Sequence, residues 1–176
     1  LREQVALKMI DRLIGNAPSS EAYFVRGEIK SDLKQFDSAI IDYRKSLKLD
    51  QSNHEAMYGL SSSLYKIQKY EESWKVLRTL LQSEPNNKII QLASVLAANL
   101  STDQGKYRES ALFAERGISL DPNNPNSYLA LGRLYQVQNI HSAALGAYIR
   151  YPREMNGEIS AAQAYSYFKS SMYEQA

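Results

Sequence analysis

The stretch that decides the fold runs from position 105 to 135 and reads GKYRESALFAERGISLDPNNPNSYLALGRLY. Apolar residues recur every three or four positions before the break at 121–124, and they do so again after it. Pro122 lies in that break, and a proline cannot continue a helix because it lacks a backbone N–H. The pattern predicts the second helix of one hairpin, a turn, and the first helix of the next hairpin.

Similar breaks recur along the chain, at Asp50 to Asn53 and at Glu84 to Asn87, and Pro85 lies 34 residues after Gln51. A period of 34 residues is that of the tetratricopeptide repeat (TPR). The chain resembles TPR proteins in the small and aromatic residues at fixed places in each copy. These are Tyr23, Gly27, Ala39, Tyr43, Leu47 and Asp50; Met57, Leu60, Ser61, Leu64, Tyr70, Ser73, Leu77, Leu81 and Pro85; and Tyr128, Leu131, Gly132, Tyr135, Ala144 and Tyr148.

The resemblance implies an all-α fold, a TPR helical-hairpin solenoid forming a right-handed superhelix with a C-terminal capping helix. Small residues such as Gly27 and Ala144 allow close helix packing, and a bulky side chain there would cost about 1–3 kcal/mol by overpacking. The predicted parts are the second helix of a truncated repeat (1–19), two repeats (20–53 and 54–87), a lengthened repeat (88–124), a repeat with a short second helix (125–156) and the cap (157–176).

Two departures from the period affect the predicted helices. Pro122 lies 37 residues after Pro85, so we expect the extra residues to lengthen the first helix of the third repeat and to widen the turn at 101–104, with Leu96-Ala97 in the Leu-small role. Tyr151-Pro152 should end the fourth repeat early. A final apolar stripe predicts the capping helix, through Ile159, Ala162, Tyr165, Phe168 and Met172.

Composition excludes several classes of function. The 176 residues carry a net charge of +2 and no run of Lys or Arg, so a nucleic-acid footprint is not expected. The chain has no cysteine, which rules out disulfides and thiolate chemistry. Its longest apolar stretch, 89–100, is too short to span a membrane. Because the chain begins with Leu1 and with half a hairpin, we expect a soluble fragment of a longer protein, with any signal or anchor upstream and the compartment undetermined.

No catalytic, metal or cofactor site is predicted. His54-Glu55 begins like a zinc-protease motif, but Tyr58 stands where the second histidine is required. The two histidines, His54 and His141, are far apart in sequence. No nucleophile, base and orienting group can be assembled from spacing, so the sequence predicts that the protein is not an enzyme.

TPR proteins bind partners in a concave groove lined by the first helix of each hairpin, so the resemblance implies where a groove would be. The lining positions fall on Phe24, Glu28, Asp32, Tyr58, Ser62, Tyr65, Lys66, Leu129, Arg133 and Gln136, with Val95, Ala98 and Asn99 from the lengthened repeat. Tyr and Arg are common interface anchors. The basic residues of a carboxylate-binding TPR clamp are absent from the matching places, which favours a partner segment with apolar anchors over an acidic tail.

The sequence therefore predicts a non-catalytic scaffold that binds a protein segment or helix in its groove as part of a larger assembly. Two alternatives stay open. The first is self-association through an apolar face that includes Val5, Ile10 and Leu13. The second is a recruiting or regulatory arm of a larger enzyme or of a secretion, pilus or envelope assembly protein.

Overall fold

A computed structural model describes residues 2–152 and 157–174, in which the chain forms ten α-helices and no strand. The all-α prediction is confirmed. The helices are α1 (Arg2–Asn16), α2 (Ser20–Asp32), α3 (Phe36–Leu49), α4 (His54–Lys66), α5 (Tyr70–Gln82), α6 (Asn87–Asp103), α7 (Tyr107–Leu120), α8 (Pro125–Val137), α9 (His141–Ile149) and α10 (Gly157–Glu174).

The chain divides into two compact units. Unit 1 comprises residues 1–89, where α1 packs on α2, α2 on α3, α3 on α4 and α4 on α5. Unit 2 comprises residues 90–176, where α7 packs on α8, α8 on α9, and α10 on both α8 and α9. Each unit buries its own apolar core between neighbouring hairpins, around Tyr43 in unit 1 and around Tyr148 in unit 2.

The same three-residue turn closes four hairpins. In the turn after α2, the N–H of Gln35 donates to the carbonyl of Lys30 at 2.9 Å, and that of Lys34 donates to Ser31 at 2.8 Å. The turns after α4, α6 and α8 repeat these two bonds. This is the Schellman motif, which places one residue in the left-handed region and satisfies the last helix carbonyls. The left-handed residues are Lys34, Gln68, Gly105 and Asn139, with φ of 59°, 62°, 72° and 60°.

Gln68→Gly is expected to raise the free energy of unfolding by about 0.5–1 kcal/mol, because the left-handed conformation is strained for a residue with a Cβ and open to glycine. Gly105→Ala is the matched change in the opposite direction and should lower stability by a similar amount. Urea denaturation followed by circular dichroism measures both changes. A Gln68→Gly variant less stable than the parent would contradict this prediction.

The lengthened repeat places all of its extra residues in the helices. The turn between α6 and α7 has the same three residues as the others, so the predicted widening at 101–104 is wrong. Instead, α6 has 17 residues, whereas α2, α4 and α8 have 13 each. The register is also one residue later than predicted, because Ala98 lies seven residues before the left-handed Gly105, as Gly132 does before Asn139. Ala98 is fully buried and packs in the same cluster as Ala114 of α7.

Polar side chains cap the first helices of the hairpins. Ser19 caps α2, where its hydroxyl accepts from the backbone N–H of Ala22 at 3.1 Å. Asn53 and Asn124 cap α4 and α8 in the same way, and Asn86 accepts from Ile89 at the start of α6. The asparagines of the repeated breaks therefore start the following helix.

Two buried serines replace the usual small residues of the second repeat and hold α4 to α5. The hydroxyl of Ser61 donates to the carbonyl of Ser73 at 2.9 Å, and the hydroxyl of Ser73 donates to the carbonyl of Ser61 at 2.8 Å. Both residues have no exposed surface. Buried hydroxyls are costly unless they are hydrogen-bonded, and the exchange satisfies both at once.

The last hairpin has a short second helix, because α9 has nine residues and ends before Tyr151-Pro152. The apolar stripe predicted for α10 is only partly buried: Ile159 lies in the core, whereas Tyr165 and Phe168 are 51% and 58% exposed. Ser166 is the buried residue one position after Tyr165. The side chain of Met172 lies outside the part that is described. None of the described helices is long and apolar enough to cross a membrane.

Candidate functional site

The candidate site in unit 1 is built around Tyr43, which fills the space between α2 and α4. Its ring lies against the backbone of both helices: a Cβ added to Gly27 would lie 2.7 Å from Tyr43 Cε1, and one added to Gly59 would lie 2.6 Å from it. Its hydroxyl donates to Oε1 of Glu28. Burial, together with the Glu28 carboxylate, raises the pKa of Tyr43, so the phenol stays protonated and donates.

We call the surface beside this ring the α2–α4 face. On α2 it consists of Phe24, Glu28 and Asp32, and on α4 of Tyr58, Ser62 and Tyr65. Both sets follow helical spacing, which places each set on one side of its helix. Phe24, Tyr58, Ser62 and Tyr65 are half-buried, and Glu28 and Asp32 are exposed.

Three of the predicted groove residues meet at this face. The Phe24 ring lies 6.4 Å from the Tyr43 ring, whose hydroxyl binds Glu28. Burial raises the pKa of Tyr58, and the nearby charge of Glu28 adds to the shift. Tyr65 lies at the other end of the face, where its ring is 5.7 Å from that of Tyr70. The α2–α4 face therefore combines aromatic rings with a carboxylate held in place by a buried phenol.

The basic residues of α2 are engaged with a buried carboxylate. Arg26 donates to both oxygens of Asp42, at 2.6 and 2.9 Å, and Lys30 donates to Oδ2 of Asp42 at 2.6 Å. Arg26 also donates to Asp11 of α1 at 2.6 Å. Burial alone would raise the pKa of Asp42, but the bonds from Arg26 and Lys30 hold it below its usual value. Asp42 therefore stays ionised at neutral pH.

Sequence reasoning missed this network, although its signal was present. Arg26 stands directly before Gly27, where the later copies have Leu60 before Ser61 and Leu131 before Gly132. A cation in an apolar position of a repeat indicates a buried partner, because an unpaired buried charge is too costly. Gly59, the second glycine against Tyr43, was also missed, since it lies outside the small-residue pattern.

The predicted groove residues of unit 2 form contacts within the unit. Leu129 packs against the buried cluster around Tyr148. Nη2 of Arg133 donates to Oδ1 of Asp103 on α6 at 2.5 Å, and Nε2 of Gln136 contacts the hydroxyl of Ser166 on α10 at 3.1 Å. The structure thus places all three on α8 and engages the polar groups of Arg133 and Gln136 internally.

The shifted register of α6 corrects its predicted contribution. Ala98 is fully buried in the core of unit 2 and cannot line a groove. Val95 is half-buried and packs on the same cluster, and Asn99 is half-buried. Of these three residues, Asn99 alone keeps a polar group at a partly exposed position.

No group of three or more His, Cys, Asp or Glu residues lies close enough to hold a metal ion in 2–152 and 157–174. A cavity of about 340 Å³ lies on the α3 and α5 side of unit 1 and is lined by Arg44, Leu60, Leu64, Glu72, Lys75, Val76 and Thr79. Arg44 and Glu72 form an ion pair of 2.9 Å there.

Helices that pair as hairpins through one repeated turn, with a tyrosine ring against glycine, define a helical-hairpin repeat protein. Family models described as tetratricopeptide repeat match residues 20–53 and 113–176. The chain belongs to the tetratricopeptide repeat family.

Known proteins resemble the chain in parts of their length. It is 30% identical over 137 residues to a TPR repeat-containing protein of Methanocaldococcus jannaschii, covering 74% of this chain and 24% of that protein. It is 25% identical over 129 residues to cellulose synthase operon protein C of Pseudomonas fluorescens, covering 68% of this chain and 10% of that protein. The chain therefore spans about a quarter and about a tenth of these two relatives.

The fold also resembles a solved structure over most of its length. The crystal structure of PilW, a widely conserved type IV pilus biogenesis factor, has a TM-score of 0.81 at 19% sequence identity. The similarity covers 98% of this chain and 85% of PilW. At this identity the likeness concerns the fold alone.

Proposed function

We propose that the protein is a non-catalytic interaction scaffold that binds an extended segment or a helix of a partner protein on the α2–α4 face. The observation that carries this proposal is the difference between the two units. In unit 2 the polar groups of Arg133 and Gln136 bind other residues of the same unit. In unit 1, Glu28 and Asp32 are exposed beside half-buried aromatic rings, and no salt bridge between described residues involves either carboxylate, although Oε1 of Glu28 accepts from the hydroxyl of Tyr43.

The physical properties of the α2–α4 face suit a partner segment. Phe24 and Tyr58 offer large rigid surfaces that lose little rotamer entropy on binding, which is why aromatic residues are enriched among interface anchors. Tyr43 supports the face from below, since it is fully buried and bonded to Glu28. A preorganised surface of this kind loses less entropy when it binds.

A selection from phage-displayed random peptides of about twelve residues tests the proposal, because an extended segment of that length can follow a groove. The affinity of enriched peptides should fall about tenfold or more in Tyr65→Ala combined with Ser62→Gln, which removes a ring and fills the centre of the face. The matched control is Thr79→Gln, which adds the same amide to the cavity on the other side of unit 1.

Two results would contradict the proposal. The first is equal binding to the parent and to the Tyr65→Ala, Ser62→Gln variant when circular dichroism shows that the variant is folded. The second is selective loss of binding in Thr79→Gln, which would assign the peptide site to the cavity on the α3 and α5 side.

A second candidate function is self-association through α1. Val5, Met9 and Leu13 are spaced four residues apart on one side of this helix and are 53%, 67% and 50% exposed. Ile10, which was predicted to share that face, is buried instead. Light scattering at increasing concentration tests this candidate, since a mass that stays monomeric would exclude it and a dimer lost in Met9→Lys would support it. The role of a recruiting arm in a larger enzyme or assembly stays a prediction.

A further inference from the structure

We infer that the segment bound on the α2–α4 face is cationic, with a Lys or Arg side chain that pairs with Glu28 and Asp32 while its aliphatic stem packs on Phe24 and Tyr58. This inference rests on the proposed function and specifies the chemistry of its partner. It goes beyond the apolar anchors predicted from sequence, because the charge distribution of α2 becomes visible only once its contacts are known.

The charges of α2 are divided between its two sides. Arg26 and Lys30 both pair with Asp42 at 2.6 Å, and Arg26 also pairs with Asp11 at 2.6 Å, so both cations are already engaged. Glu28 and Asp32 are four residues apart and lie on the other side, where they repel each other because like charges at that spacing are neighbours. A cation from a partner would relieve this repulsion, whereas an acidic segment would increase it.

Further carboxylates extend the same pattern. Glu21 precedes Phe24 by three residues and Glu55 precedes Tyr58 by three, so both belong to the same sides of α2 and α4. Both are exposed and lie in the first turns of their helices. Lys66 is the cation at the equivalent position of α4, and it forms no salt bridge with a described residue. Negative charge therefore predominates on the α2–α4 face.

Glu28 is prepared to receive a cation. Its Oε1 accepts from the buried hydroxyl of Tyr43, which fixes the carboxylate while the residue as a whole stays exposed. A fixed carboxylate loses less side-chain entropy on forming an ion pair than a freely rotating one. Asp32, one turn away, supplies a second acceptor within reach of a forked guanidinium or an ammonium group.

The opposite side of α2 provides a precedent within the same molecule. There, Arg26 lies over the ring of Tyr23 at 5.5 Å while its guanidinium pairs with Asp42 and Asp11. Lys45 also lies over the Tyr23 ring, at 5.4 Å. Aromatic rings attract cations through their negative faces, and nearby carboxylates add to that attraction. The α2–α4 face offers the same combination of ring and carboxylate. There, no Lys or Arg among the described residues forms a salt bridge with Glu28 or Asp32.

The experiment uses the 176-residue chain and the random peptide library described above. Enriched peptides should contain Lys or Arg next to an apolar residue, and changing those cations to Gln should weaken binding. Glu28→Gln combined with Asp32→Asn should weaken binding about tenfold, as expected for two partly exposed ion pairs. Glu28→Gln keeps an oxygen that can accept from Tyr43, and Asp32→Asn removes a negative charge from a helix C-terminus, so neither change should unfold α2.

The matched control is Glu71→Gln combined with Glu109→Gln, which changes net charge equally at exposed positions of α5 and α7. Its affinity for the peptides should equal that of the parent. Raising NaCl from about 50 mM to about 500 mM should weaken binding to the parent more than to the Glu28→Gln, Asp32→Asn variant, because screening acts on the ion pairs.

The possible failures are distinguishable. Peptides without Lys or Arg that still lose affinity in Tyr65→Ala, Ser62→Gln would overturn the cationic inference and leave the proposed function standing. Peptides that bind Glu28→Gln, Asp32→Asn as tightly as the parent would also overturn the inference. No enrichment, or binding that no variant of the α2–α4 face reduces, would overturn both.

Discussion

Asp42→Asn is expected to lower the free energy of unfolding by about 2–3 kcal/mol, the largest effect of a single polar substitution that we predict. The carboxylate has no exposed surface, and it accepts from Arg26 and Lys30. The variant would leave these two cations close together, with Asp11 still pairing Arg26. Asparagine has nearly the same size as aspartate, so a loss of stability would report the charge and not a cavity. Urea denaturation followed by circular dichroism measures it.

A control on the same helix separates this effect from general charge removal. Asp37 is exposed in the first turn of α3, and Asp37→Asn should cost about 0.5 kcal/mol through the helix dipole alone. If Asp42→Asn lowered stability as little as Asp37→Asn, the ion pairs with Arg26 and Lys30 would only offset the cost of burying the carboxylate. That result would contradict the prediction that Asp42→Asn has the larger effect.

The ion pairs of Asp42 with Arg26 and Lys30 make the stability of the parent protein depend on pH. The pKa of Asp42 in the folded state lies below its unfolded value of about 3.9. A group of this kind stabilises the fold fully above the unfolded pKa and loses that contribution as pH falls through the folded pKa. The stability difference between the parent and Asp42→Asn should therefore be largest near pH 6 and shrink below about pH 4. A difference that stays constant down to pH 2 would contradict the network.

The fold could be predicted because the same sequence pattern recurs in several repeats. Gly27 with Tyr43 and Gly132 with Tyr148 each place a ring against a glycine, and both pairs are spaced alike in sequence. Any one of these pairs would be weak support for a fold. Together with breaks 34 residues apart, they leave helical hairpins as the simplest solution.

The lengthened repeat could not be placed from the period alone. The spacing of Pro85 and Pro122 counts three additional residues, but it does not locate them. Residues 93–98 contain several small and apolar side chains, so Leu96-Ala97 and Ala97-Ala98 fit the pattern about equally well. The choice depends on what α7 presents to α6, including the 2.7 Å bond between the hydroxyls of Thr102 and Ser110. That bond joins residues whose pairing has no sequence signature.

Sequence spacing predicts positions for the candidate site but not its chemistry. Helical spacing is sufficient to group Phe24 with Glu28, and the structure adds Tyr43 beneath them. Spacing could not reveal which charges are already neutralised. Arg133 resembles an available anchor in the sequence, yet it binds Asp103 thirty residues earlier. The charge expected of a partner therefore depends on which charges of each helix are already paired, and only the contacts on both sides of the helix show this.

Gly132→Ala is expected to lower the free energy of unfolding by about 1–2 kcal/mol, although alanine is the better helix former. A Cβ at position 132 would lie 2.0 Å from Cε1 of Tyr148 and 2.1 Å from its Cζ. Tyr148 is 2% exposed, so its ring can move only by displacing the core of unit 2. The overpacking cost of about 1–3 kcal/mol exceeds the gain of about 0.5–1 kcal/mol from replacing a helical glycine.

The phenol of Tyr148 provides an independent readout of the same displacement. Burial raises the pKa of Tyr148 to about 12. If the methyl group of Gly132→Ala pushes the ring toward water, that pKa should fall toward the ordinary value of about 10. Ultraviolet titration of the variant against the parent measures the change. A pKa that stays near 12 together with reduced stability would place the strain in the helices and not in the ring.

Gly146→Ala is the control for Gly132→Ala, because it shows what replacing a helical glycine does to stability where no ring is in contact. Gly146 lies in the adjacent helix α9, is exposed, and has no atom within 4 Å of an added Cβ. Helix propensity alone predicts that Gly146→Ala and Gly132→Ala both stabilise the protein, by about 0.5–1 kcal/mol each. Packing predicts that Gly146→Ala raises the free energy of unfolding and that Gly132→Ala lowers it. A gain at 146 with a loss at 132 would show that the glycine of this repeat is required for contact with the ring, whereas a gain at both positions would show that the ring has room to move.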